Sequence, residues 1–136
     1  MSRISGRALG VWSLRLDAAY CLILGIFVAA AAPQIAGVVA LPQALLFGTG
    51  VVVAVWAALV LWMVLRMQIR LALRLVMGVN ILATALIAAA ALTAASSLVA
   101  IAVLAIACDV ALFALSQAIA IRALRSGPGA AALPAV

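Results

Sequence analysis

Apolar positions run along this chain in two long blocks, and the charged positions gather at the block ends. Residues 18–65 carry no formal charge over 48 positions, and residues 75–121 carry one, Asp109, over 47 positions. Arg3, Arg7, Arg15 and Asp17 precede the first block, Arg66, Arg70 and Arg74 separate the two, and Arg122 and Arg125 close the second. A membrane-spanning helix needs about 20 predominantly apolar residues, so each block holds two spans and a turn. The pattern predicts an all-α polytopic membrane protein, with four transmembrane helices arranged as two antiparallel hairpins in a bundle. The spans are expected at about residues 14–32, 43–65, 71–92 and 98–121, in one domain over residues 1–125, and residues 126–136 form a flexible small-residue tail.

The connections carry their own signals. Pro33 should end the first span, because proline lacks a backbone donor and disfavours helix in the residue before it. The segment from Pro33 to Pro42 is apolar and too short to cross, so it lies in the interface or folds back on the bundle. Pro42 suits the start of the second span. Between Ala57 and Met77 there is no Gly, Pro, Asn or Ser, yet the chain must turn there for both spans to cross. Arg66, Arg70 and Arg74 stand four apart and would form one stripe on a continuous helix. Thr93 to Ser97 is a short link, and Ser96 or Ser97 can cap the fourth helix. Trp12 and Trp62, near the Arg-bearing ends, suit an interfacial aromatic belt, and Trp56 sits deeper, as packing.

Composition narrows the picture. Hydrophobic residues make up 72% of the 136 and charged residues 7%, against roughly a quarter charged in soluble domains. A soluble fold of this size cannot bury that much apolar surface. The net charge of +6 comes from Arg residues spread over three segments, which fits the positive-inside pattern and no nucleic-acid-binding module. All eight basic residues are Arg, none of them on the 33–42 or 93–97 links, so both termini are expected in the cytoplasm. The Arg-bearing start followed by Leu22 to Ala32 superficially resembles a signal peptide. Asp17 interrupts that pattern, and the segment is expected to be the first membrane helix. Arg66, Arg70 and Arg74 are expected to anchor the topology and to contact anionic lipid.

Candidate chemistry is sparse. There is no His, the commonest metal ligand and general base. Cys21 and Cys108 fall inside spans with no CxxC, and suit small buried apolar positions. Neither a nucleophile–base pair nor a metal-ligand cluster is visible, so no enzyme and no cofactor is implied. What remains is a set of polar residues inside spans: Asp17, Asn80, Asp109, Ser116 and Gln117. Asn80 lies six residues beyond Arg74, about 9 Å inside, and Gln117 five before Arg122, about 7–8 Å inside, at 1.5 Å per residue. Asp17 and Tyr20 are expected near the same boundary, so these residues from three helices can share one polar layer that joins helices. Asp109 lies 13 residues before Arg122, roughly 20 Å away and close to mid-bilayer. A charged Asp at that depth costs about 2.5–3.5 kcal/mol. Its helical neighbours Ala102, Ala105, Ser116 and Ala120 point to burial against another helix. Three roles stay open for it: a hydrogen-bonded acid inside the bundle, a proton or cation site, and a contact to another membrane protein.

Four short features, Leu14-Arg15-Leu16-Asp17-Ala18, Leu41-Pro42 with Leu45-Leu46 and Gly48, Val79-Asn80, and Ser116-Gln117, together resemble a group of uncharacterised small four-helix integral membrane proteins of actinobacteria. Members often carry Gly and Asn in the first helix, where this chain has Tyr20-Cys21-Leu22-Ile23, and a Trp soon after the third-helix Asn, which this chain lacks. The resemblance implies a four-helix fold and no activity. Small multidrug transporters share the size but need a Glu in their first helix, and this chain has none. The expected function is therefore a structural or accessory component of the cytoplasmic (inner) membrane of a bacterium, alone or as a subunit of a larger complex. Its expected partners are the lipid bilayer, anionic lipids included, and other membrane proteins or itself. The alternative is a small oligomeric transporter or channel with Asp109 as an intramembrane proton or cation site.

Overall fold

A computed structural model describes residues 6–125. Arg3 and the tail at 126–136 lie outside them. The described residues form α1 (Gly6–Ala30), a short α2 (Ala32–Ala36), α3 (Gln43–Arg66), α4 (Ile69–Ala90) with a 3-10 turn at Ala91–Thr93, and α5 (Ser97–Arg125). Four of these helices are long and apolar enough to cross a membrane. The molecule is a small multi-pass membrane protein built as a helical bundle.

α1 begins eight residues before the expected start of the first span. Leu9 explains the extension: it packs against the core that Leu14 and Ala18 enter from the same helix. As a result Asp17 is the twelfth residue of 25 in α1, midway along the helix and not near its end. Pro33 does not terminate α1. The helix stops at Ala30, and the proline occupies the first turn of α2, where its missing N–H goes unneeded.

The turn between α3 and α4 uses two residues. Met67 (φ −110°, ψ 161°) and Gln68 (φ −63°, ψ 128°) are both extended, a region open to any L-residue, so no Gly or Pro is required. The Gln68 carbonyl accepts the first bonds of α4, from Leu71 and Ala72 N–H at 3.0 and 3.1 Å. The break also divides the Arg stripe. Arg70 and Arg74 share a face of α4, and Arg66 belongs to the last turn of α3.

α1 is the shared element of the bundle, packed along α3 on one side and against α5 and α4 on the other. α3 meets α4 only over a short stretch. The core cluster draws on all four spans: Leu14 and Ala18, Val60 and Met63, Ala72, Leu73 and Val76, and Ala120. The backbones of α1 and α3 come close where Gly25 faces Gly50. A Cβ on Gly50 would stand 2.5 Å from Ala29 N and 2.6 Å from Gly25 O, both backbone atoms. Only glycine allows that separation, and the Gly25–Ala29 and Gly50–Ala54 spacings are the small-xxx-small pattern of close membrane helices. Trp56 packs against the core, and among the described residues its indole Nε1 is the buried side-chain polar atom without a hydrogen-bond partner.

At the Arg-free end the two hairpin links bond to each other. Ala40 N–H donates to Thr93 O at 3.1 Å and Ala95 N–H to Val38 O at 2.9 Å, around an antiparallel bridge between Val39 and Ala94. Val39 is buried. These links carry no charge, and pairing their backbones satisfies groups that an apolar surrounding would leave open. Ser96 Oγ accepts from Val99 N–H at 3.3 Å, capping α5 as expected.

Candidate functional site

The five polar candidates fall into two separate places. Asp17, Asn80 and Gln117 converge from α1, α4 and α5 in the interior of the bundle, with exposures of 1%, 2% and 0%. Asp17 Oδ2 accepts both Asn80 Nδ2–H at 2.7 Å and Gln117 Nε2–H at 2.8 Å. The second carboxyl oxygen, Oδ1, faces the Cys21 thiol at 3.5 Å, one turn along α1. Asn80 Nδ2 also stands 3.5 Å from Gln117 Oε1. A single acceptor oxygen thus binds two amide donors from two other helices. Around it, Thr84 Oγ1–H donates to the Asn80 carbonyl at 2.8 Å, a bond back along α4. Each helix presents its polar residue within its buried stripe: Leu14, Asp17, Ala18, Cys21 on α1; Leu73, Val76, Asn80 on α4; Ala114, Gln117, Ala120 on α5.

Asp109 and Ser116 take no part in that cluster. Asp109 is exposed on the outer face of the bundle, where a face of small residues was expected to bury it. The buried stripe of α5 runs through Ala107, Val110, Ala114, Gln117 and Ala120. Asp109 is one residue, about 100°, away from that stripe, and its expected neighbours Ala102 and Ala105 are exposed with it. Alanine lines both faces of this helix, so small size does not mark the inside.

The Asp109 carboxylate borders a groove of about 500 Å³ between α1 and α5. Tyr20 Oη–H donates to Asp109 Oδ2 at 3.0 Å across the groove. The Tyr20 and Phe113 rings meet at 5.4 Å between centroids, tilted by 53°, within the favourable range for aromatic pairs. Toward the Arg end, Ser13 and Ser116 hydroxyls stand 2.6 Å apart. Ser116 gives its proton to Phe113 O at 2.8 Å, which makes Ser13 the donor of that pair. Leu9, Trp12, Leu16 and Leu112 complete the apolar lining. From Leu9 to Tyr20 the groove follows α1 for about 16 Å, three helical turns.

The Arg residues divide as well. Arg70 Nη2–H donates to the Leu124 carbonyl at 2.7 Å, so this side chain ties the start of α4 to the last turn of α5, where free carbonyls favour a cation. Its expected lipid contact is replaced, for that donor, by a helix end. Arg66 and Arg74 are exposed at the same end of the bundle. Among the described residues, no group of three or more His, Cys, Asp or Glu stands where it could hold a metal ion.

Counting depth along the helices found the triad. It sets Tyr20 in the same layer, whereas the structure turns Tyr20 toward Asp109, and it gives no sign of Ser13 or Cys21, whose relevance depends on how α1 is rotated against α5. For Cys21 the available signal is its place four residues beyond Asp17, because i and i+4 share a helix side. Comparison with known proteins yields no matching family model, no similar curated protein and no similar solved structure.

Proposed function

We propose that this protein is a structural or accessory component of a bacterial cytoplasmic membrane, working as a subunit beside other membrane proteins, with both termini in the cytoplasm. The observation that carries the reading is the spent state of the buried polar cluster. Asp17 accepts from Asn80, Gln117 and Cys21, so the interior acid serves to hold α1, α4 and α5 together. An acid that carried ions through the bundle would instead line an open path. The distribution of Arg residues over one end of the bundle supports the orientation, and exposed Arg66 and Arg74 suit anionic headgroups.

The test is extraction in mild detergent followed by mass measurement of the particle. A complex heavier than one chain is expected. A lone chain, with no partner after cross-linking in the native membrane, refutes the accessory reading.

A small oligomeric transporter or channel is the second reading, and the depth of Asp109 favours it. Because Asp109 lies on the outer face, such a path would have to form between copies. Proton or cation flux into liposomes that disappears in Asp109→Asn supports it, and flux unchanged by that substitution removes Asp109 from any such role.

A further inference from the structure

Asp109 is placed where a membrane protein rarely leaves an acid: on the outer face, near the middle of a 29-residue helix. Facing hydrocarbon there costs about 2.5–3.5 kcal/mol, and the one bond it accepts across the groove comes from a neutral phenol, Tyr20. Acids at this depth are held by pairing with a charge of opposite sign or by facing water. We propose that the groove between α1 and α5 seats a transmembrane helix of another protein, carrying a basic residue near the bilayer midplane that pairs with Asp109. This inference rests on the accessory reading and adds the chemistry of the partner.

Shape and charge both select that occupant. The groove is apolar over three turns, with Trp12 and Leu16 on one wall and Leu112 on the other, which matches the length over which two helices interlock. Its one charged group sits at the deep end, while the Ser13 and Ser116 hydroxyls toward the Arg end are bonded to each other. A second copy of this chain is a poor fit, because it would set one Asp109 against another. The Arg residue nearest in depth on α1 is Arg15, five residues and about 7–8 Å closer to the Arg end than Tyr20. On α5 the first is Arg122, 13 residues from Asp109. A partner lysine or arginine at midplane would meet the carboxylate in a medium where an ion pair is barely screened, with the Tyr20 hydroxyl holding the carboxylate in place.

The experiment uses the full chain in phosphatidylcholine vesicles, labelled for energy transfer, with synthetic poly-leucine helices of about 20 residues that carry Lys, Leu or Glu at the centre. The Lys helix is expected to associate at least about tenfold more tightly than the Leu helix, and the Glu helix no better than Leu. Asp109→Asn is expected to bring the Lys helix down to the Leu level, with unchanged thermal stability in detergent. Leu112→Trp, which fills the groove and keeps the acid, is expected to weaken the Lys helix as well. Equal association of all three helices overturns the proposal, as does a Lys preference that survives Asp109→Asn. Stronger transfer between labelled copies of the chain than to the Lys helix assigns the groove to self-association and also overturns it. If the chain still comes out of its native membrane in a heavier complex while the Lys helix fails, the accessory reading stands and the groove assignment alone falls.

Discussion

Replacing Asp17 by Leu removes the acceptor shared by two helices and keeps a side chain of similar bulk. Asp17 Oδ2 takes bonds of 2.7 and 2.8 Å from Asn80 and Gln117. Hydrogen bonds between membrane helices are worth about 0.6 kcal/mol on average and up to about 1.7 kcal/mol, so losing two costs about 1–3 kcal/mol. That is roughly a 5- to 150-fold change in the folding equilibrium. Part is recovered, because Asn80 and Gln117 already stand 3.5 Å apart and can close on each other. Asp17→Asn behaves differently. Its carbonyl oxygen can accept the same two amides and its NH2 can turn toward the Cys21 sulfur, so the expected loss is below about 1 kcal/mol. The assay is reversible unfolding in mixed micelles of increasing SDS fraction, followed by helix content and tryptophan fluorescence. A double-mutant cycle between Asp17→Leu and Asn80→Leu should return a coupling of about 0.6 kcal/mol or more. If Asp17→Leu unfolds with the parent midpoint, the triad does not hold the helices. If Asp17→Asn is as damaging as Leu, the negative charge itself is required, and the structural account of the cluster is wrong.

Three further outcomes follow from packing and exposure. Gly50→Val drives a side chain into the backbone of α1 and should destabilise by about 1–3 kcal/mol in the same assay, whereas Gly78→Ala, with nothing within 4 Å of the added Cβ, should be neutral or stabilise by up to about 1 kcal/mol; equal effects would refute the close α1–α3 approach. Arg70→Met removes the donor to the Leu124 carbonyl and should loosen the end of α5 by about 0.3–1 kcal/mol, read as faster amide exchange over 121–125, and unchanged exchange there would show the contact to be idle. Of the two free thiols, Cys108 is exposed and Cys21 buried, so a small apolar maleimide in mild detergent should add one label before unfolding and a second after it; rapid double labelling would contradict the placement of Cys21.

What could be anticipated from the chain alone follows from what a bilayer demands. Apolar length and Arg position decide where helices cross, and both are written directly in residues 18–65 and 75–121. The level of Asn80 and Gln117 was likewise accessible, because rise per residue converts sequence distance from Arg74 and Arg122 into depth. Rotation about the helix axis was not. In water, polarity separates the inside face of a helix from the outside one; on α5 the polar Gln117 lies inside and the polar Asp109 outside, with Ala on both sides, so polarity does not mark the buried stripe. Asp109, expected against a neighbouring helix, therefore lies on the outer face. The Met67–Gln68 turn was opaque for a related reason: an extended pair needs no turn-forming residue, so the sequence there holds no punctuation.

The paired backbones of the two links, 38–40 with 93–95, have a consequence for assembly. Each hairpin can enter the membrane as its own unit, since its helices are joined by a short connection, but neither can complete these bonds until the other has arrived. Helices coated with Ala and Leu slide past one another with little penalty, and a slip of one turn is about 5.4 Å, more than the reach of any of these bonds. The bridge thus works as a stop: it closes only when both hairpins have the same axial setting, and that setting is the one that brings Asp17, Asn80 and Gln117 to a common level.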